Sequence, residues 1–197
     1  DHDGHSAVLN AARNGHTAVV SLLVDANAAL NPDFGDMPLH AAAENNHVDA
    51  VHLLLEGGAD ADKTDSYGNT ALMNAAVSGH ATVVLALLMG GAKADLEGSG
   101  GQTALAKAAK ANSSECVAAL VKGGATLDGG DDNGNTALML AASKGNADAV
   151  VMLLEAGASI ARRNNEGKSV EDLATGQAVL EAVLEAVEKA ADDDGEP

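Results

Sequence analysis

The sequence predicts an all-α solenoid: short helix–turn–helix units stacked side by side, with β-turn or hairpin loops between them. Two observations carry that prediction. GNTALM at residues 68–73 returns letter for letter at 134–139, and the related GQTALA at 101–106 lies midway, 33 residues from each copy. The same step reaches GDMPLH at 35–40 and GKSVED at 167–172, and a shorter step of 31 reaches GHSAVL at 4–9. A period of this size marks a tandem array in which each unit needs its neighbours to cover its apolar face. The second observation is composition. Apolar residues make up 46% of the chain and aromatics 1%, so the core must be built of Ala, Val and Leu. Such a core suits thin, closely packed helices better than a thick globular interior.

The period divides the chain into six units. A capping unit over 1–31 precedes four full units over 32–64, 65–97, 98–130 and 131–163; a second cap over 164–190 and an acidic tail over 191–197, expected to be disordered, complete it. The third unit shows the logic. Its opening, DSYGN, holds the residues that set tight turns. Thr70 stands just ahead of an Ala/Leu/Met run, where its hydroxyl caps the first free amides. Apolar residues at 71, 72, 75 and 76 form the stripe of a short first helix, which Gly79 and His80 break. The second helix, ATVVLALLM, buries Val83, Val84, Leu87 and Leu88, and Gly90–Gly91 ends it with a left-handed cap.

These units resemble the ankyrin repeat, whose pattern GxTPLHxAA…GH…VVxLLxxGA runs over nearly the whole chain. MPLHAAAENNHVDAVHLLLEGGADAD at 37–62 carries it most fully. Departures fall where an array would tolerate them. The first unit reads SAVLNAA and is two residues short; the fourth has Asn112-Ser113 for Gly-His and Gly98 where Asp is usual. The last has SVEDLATG and then a longer amphipathic helix over 177–190, expected to turn Val179, Leu180, Val183, Leu184 and Val187 inward and its glutamates outward.

Lys plus Arg number 11 against 29 Asp plus Glu, a formal charge of −18. Such a surface repels nucleic-acid phosphates and anionic membranes and favours a protein partner of basic or mixed charge. No apolar run approaches the roughly 18–20 residues of a membrane span. The single cysteine, Cys116, excludes an intramolecular disulfide and fits a reducing compartment such as the cytoplasm. The sequence opens at Asp1 rather than Met, which leaves a processed organellar leader open.

The residue types that elsewhere carry chemistry fall here into the repeat register. His16, His47 and His80 share one slot between the two helices of a unit, and His40 holds the histidine position of TPLH, so all four read as structural hydrogen-bonders. His52 falls on a second helix. DHDGH at 1–5 lies at a fraying end, and no CxxC or HExxH accompanies it. The Gly-rich segments GGAKADLEGSGG and GGATLDGGDDNG lack the lysine and hydroxyl of a phosphate loop, and DGGDDNG lacks the acids of a calcium loop. Cys116 takes a slot filled elsewhere by Val19, Ala50, Val83 and Ala149, a packing position. No cofactor, metal or active site is expected.

Positions the units do not share remain free to specify a partner. The resemblance implies that these line the concave face: the second, third and fifth residues of each unit, on the turn, and the thirteenth and fourteenth, ending the first helix. On the turns they include Asp33, Phe34 and Asp36; Ser66, Tyr67 and Asn69; Gln102; and Asn133 and Asn135. At the helix ends they include Arg13, Glu44, Asn45, Val77, Lys110 and Lys144. The chain's only Phe and only Tyr both hold a third position in adjacent units, as aromatic anchors of an interface would. Asp33, Asp36 and Glu44 gather toward one end; Lys107, Lys110 and Lys144, with Arg162 and Arg163 behind them, gather toward the other. That gradient would orient a partner. The expected function is a non-catalytic protein-binding module, monomeric when free. The alternative is a structural subunit held permanently in a larger assembly, which should expose a broad apolar patch.

Overall fold

The computed structural model describes residues 6–32 and 37–193, with side chains as far as Lys189. Helices come in pairs: α1 (Ala7–Arg13) with α2 (Thr17–Asp25), α3 (Pro38–Glu44) with α4 (Val48–Glu56), and α5 (Ala71–Val77) with α6 (Ala81–Met89). The series continues with α7 (Ala104–Lys110) and α8 (Ser114–Lys122), α9 (Ala137–Lys144) and α10 (Ala147–Glu155), then α11 (Val170–Leu173) and α12 (Gln177–Asp193). First helices pack on first helices of adjacent units and second helices on second helices, giving two helical layers. Among the described residues there is no strand, only an isolated antiparallel bridge between Thr64 and Thr70.

Five of the six first helices start where a hydroxyl holds an orphan amide. The side chains of Ser6, Thr70, Thr103, Thr136 and Ser169 accept from the backbone N–H three residues on, at 3.2–3.3 Å. The second unit has Met37 at this place and compensates with Pro38 at the first helical position, where a missing N–H costs nothing. The turn into the second helix requires a left-handed residue. Gly15, Gly79 and Gly145 supply it, and so do Asn46 (φ 60°) and Asn112 (φ 56°). Asn tolerates this conformation better than most side chains, which explains why Asn112 can replace glycine.

Neighbouring units lock through three layers of contact. The core alternates large and small: Leu39, Leu72, Leu105 and Leu138 on first helices, and Leu54, Leu87, Leu120 and Leu153 on second helices, are all buried, with Ala42, Ala75, Ala108 and Ala141 letting backbones approach. At the start of second helices, His47 Nε2 lies 3.1 Å from the Arg13 carbonyl and His80 Nε2 3.0 Å from that of Glu44. Asn146 does the same in the fifth unit, donating to the Ala109 and Lys110 carbonyls at 2.9 Å. At the far ends of those helices runs a carboxylate ladder. Asp62, Asp95 and Asp128 accept from the backbone N–H of Lys93, Thr126 and Ser159 in the next unit at 2.8–2.9 Å. These histidines and aspartates therefore bind unit to unit.

The two ends depart from expectation. α12 runs on to Asp193, past the 190 boundary drawn from sequence, because Ala190 and Ala191 favour continued helix. Val179 and Val183 are buried against α10, but Leu180 and Leu184 are 37% and 55% exposed rather than turned inward. Among the described residues α12 packs chiefly on α10 and α11, which leaves the other side of its apolar stripe uncovered. At the opposite end, Val19 is 44% exposed and Leu22 70%, whereas Val83, Cys116 and Ala149 in the slot of Val19 are wholly buried. The first unit's outer face is apolar, not the polar surface expected of a cap. Among the described residues no helix is long and apolar enough to cross a membrane.

Candidate interaction face

Three of the hairpins that precede first helices are each built by one side chain. Asp65 Oδ1 accepts from the backbone N–H of Tyr67 and Asn69 at 2.8 and 2.9 Å, and its carbonyl accepts from Gly68 at 3.0 Å. Asp131 repeats this on Asn133 and Asn135, and Asn164 on Glu166 and Lys168. Tips are tied in series along the stack. The Tyr67 carbonyl accepts from the Ser99 hydroxyl, that of Gly100 from the Asp132 N–H, and that of Asn133 from the Asn165 N–H. The exposed third-position side chains of Tyr67 and Asn133 thus project from a fixed row.

Three grooves lie along this row and the adjoining first helices. The first, of about 260 Å³, is lined by Arg13, Met37, His40, Ala41, Glu44, Asp65, Ser66, Tyr67, Asn69 and Asn74. Val77, Gln102, Lys107, Lys110 and Ala111 line the second. The third holds Asn133, Asn135, Met139, Leu140, Ser143, Asn164, Glu166, Lys168 and Leu173. Of the side chains singled out from sequence, Arg13, Glu44, Ser66, Tyr67 and Asn69 therefore come together in one groove, Val77, Gln102 and Lys110 in the next, and Asn133 and Asn135 in the last. Tyr67 is 75% exposed and Val77 51%, although both are large and apolar.

Others fall elsewhere. Asn45 is exposed but folds its amide back on the Ala41 carbonyl at 2.8 Å and lines none of the three grooves; Lys144 is exposed and also lines none. Asn135 is half-buried with its amide committed to the scaffold, donating to Asp131 and accepting from Asn164 Nδ2 at 2.8 Å. Asp33, Phe34 and Asp36 lie outside the described residues.

The grooves also draw on a position the sequence reading passed over. The tenth residue of the second to sixth units, Ala41, Asn74, Lys107, Leu140 or Leu173, lines one of them. It varies from unit to unit as much as the turn positions do, which is the signal that marks it. Lys107 is half-buried, and burial with the nearby Lys110 charge lowers its pKa, partly offset by Asp65.

Two further shifts follow from burial. Burial lowers the pKa of His40, whose Nε2 lies 3.0 Å from the Asn69 carbonyl. A carbonyl can only accept, so Nε2 carries the proton. Burial, aided by Glu115, pushes the Cys116 thiol up to about 11, far from a reactive thiolate. The family model for ankyrin repeats, in three copies, matches residues 8–98 and again 87–164, more than half of the chain. The helix pairs, the hairpin row and this match agree: the chain belongs to the ankyrin-repeat family.

Proposed function

We propose that this chain is a non-catalytic module that holds a partner protein against the face formed by its hairpin tips and first helices, the concave face of the family. Ankyrin repeats are in general protein–protein interaction modules without catalysis of their own. One observation carries the finer reading. Side chains fixed by the repeat are buried or bonded to the next unit, while those the register leaves free, above all Tyr67 and Val77, stand exposed along one continuous row of grooves. Phe34 holds the same third position in the second unit and joins the proposed contact set with Asp33 and Asp36. The charge gradient, acidic near Glu44 and basic near Lys107, Lys110 and Lys144, favours a partner of mixed charge in a set orientation.

Capture of partners by the intact chain tests this. Tyr67→Ala with Phe34→Ala should remove most captured protein, with binding weakened by about 2 kcal/mol or more. The melting temperature should hold, because the Tyr67 ring stands in solvent. A control on the second-helix layer, Glu155→Lys, should capture as the wild type does. If melting falls by many degrees and capture persists, the rings are structural and this face is not the contact.

The permanent-subunit reading has one observation of its own, the apolar end formed by Val19 and Leu22. Loss of a co-purifying partner on Leu22→Asp, but not on Tyr67→Ala, would favour it.

A further inference from the structure

The first groove is chemically unlike the other two. Its lining charges are the carboxylates of Glu44 and Asp65 against the single cation of Arg13. Asp65 is committed to the hairpin, but the Glu44 carboxylate is exposed and makes no ion pair among the described residues. The Glu44 backbone is nonetheless held, since its carbonyl meets His80 Nε2 at 3.0 Å. Tyr67 brings an exposed aromatic face to the same groove.

A second, independent feature lies in the groove lining. His40 is only 5% exposed, and among the described residues its buried Nδ1 has no hydrogen-bond partner. In the third, fourth and fifth units a threonine hydroxyl caps the first helix; the second unit has Met37 there and offers no hydroxyl. With Nε2–H facing the Asn69 carbonyl and burial keeping the ring neutral, Nδ1 presents a lone pair. What is missing is a donor. A buried acceptor beside two carboxylates and an aromatic face asks for a planar cation with several N–H groups.

We propose that the groove between the second and third units receives an arginine side chain carried on the partner protein, its guanidinium stacked on Tyr67, paired with Glu44 and donating toward His40. This rests on the reading that the hairpin face is the contact surface. An arginine fits better than a lysine because its flat fork can lie against the ring and donate in two directions at once.

The chain contains one tyrosine and no tryptophan, so its intrinsic tyrosine fluorescence reports Tyr67 alone. The probe is a capped pentapeptide, Gly-Gly-Arg-Gly-Gly, titrated against the full chain, with citrulline and lysine versions beside it. The arginine peptide should change Tyr67 emission saturably, with a dissociation constant on the order of 1 mM, and shift the His40 ring nitrogen signals in NMR. Glu44→Gln should weaken it about fivefold, the size of an exposed ion pair, while Glu155→Gln leaves it unchanged. Citrulline binding as well as arginine overturns the charge assignment, and lysine binding as well overturns the guanidinium. Silence at Tyr67 and His40 overturns the site altogether. Should the peptides fail while Tyr67→Ala still abolishes partner capture, the arginine proposal falls and docking on this face stands. Capture unaffected by Tyr67→Ala removes the face itself.

Discussion

Units four and five share one core and differ at their hairpins. Leu105 matches Leu138, and Leu120 matches Leu153, each buried to within 1%. The hairpin of the fifth unit hangs on the Asp131 carboxylate, whereas that of the fourth has Gly98 and only backbone bonds: Gly98 N–H to the Gln102 carbonyl and Gly101 N–H to that of Gly98, both at 3.0 Å. Its tip is a 3₁₀ turn over Ser99–Gly101 with Gly100 and Gly101 both left-handed. The loss spreads one unit back. Asn135 Oδ1 accepts from the Asn164 side chain; the equivalent Asn69 Oδ1 faces Gly98, finds no donor and stays buried without a partner. Core and hairpin are separable layers in this array. The leucine layer repeats unchanged, and the hairpin varies at a local cost.

Breaking the core should not tell the two units apart. Leu105→Ala and Leu138→Ala should each cost about 2–5 kcal/mol and agree to within about 1 kcal/mol, read from urea unfolding followed by circular dichroism. A markedly cheaper Leu105→Ala would mean that the fourth unit's core is loosened too. Hairpin changes should separate them. Asp131→Ala strands two amides that now meet a charged acceptor and should cost about 2 kcal/mol; Gly98 offers nothing equivalent to remove. In hydrogen exchange, the amides of Gly100 and Gln102 should accordingly exchange faster than those of Asn133 and Asn135, and equal rates would undo the comparison.

The fourth hairpin has its own weak point, and its two glycines grade it. A Cβ at Gly101 would come 2.7 Å from the Asp132 backbone nitrogen, while one at Gly100 meets nothing within 4 Å. Both pay for a left-handed alanine, about 1 kcal/mol each. Gly101→Ala must also move the next hairpin and should cost about 1–3 kcal/mol more. Matching urea midpoints for the two variants would show that the fifth hairpin yields freely.

The helix pairs were legible because a period of 33 repeats apolar stripes, caps and breakers together. Thr70 as a cap and the burial of Val83, Val84 and Leu87 follow from that pattern. What stayed hidden is what a single unit does not contain. Asp62, Asp95 and Asp128 read as acidic surface, yet each holds the next unit's backbone; only their spacing of 33 betrays them. Leu180 and Leu184 fit an inward stripe on paper and stand exposed because, among the described residues, α12 packs chiefly on α10 and α11 through its other side. The groove-lining tenth positions were missed for the opposite reason: Asn74 and Lys107 sit among core residues in sequence and reach the groove only through the helix's rotation.

The smallest effect is a slope rather than a level, and it sets the second unit against the third and fifth. His40 holds the slot of Met73 and Met139, so the second unit alone has a titratable group buried there. Burial lowers its pKa from the ordinary 6.5. Below pH 6.5 the unfolded chain takes up a proton that the folded ring still refuses. Stability is therefore full above that pH and falls as pH drops toward the lowered value. Asp172 acts in a different window: its pKa is lowered by the Ser169 backbone and hydroxyl, so its contribution is present above its ordinary 3.8 and lost only below it. His40→Met should thus flatten the stability curve below about pH 6.5 and leave the limb below pH 3.8 as it was. The level at neutral pH should move by only about 1 kcal/mol, one hydrogen bond to Asn69 lost against an apolar side chain gained. An unchanged slope in that variant would show that the folded ring takes its proton as readily as the unfolded one.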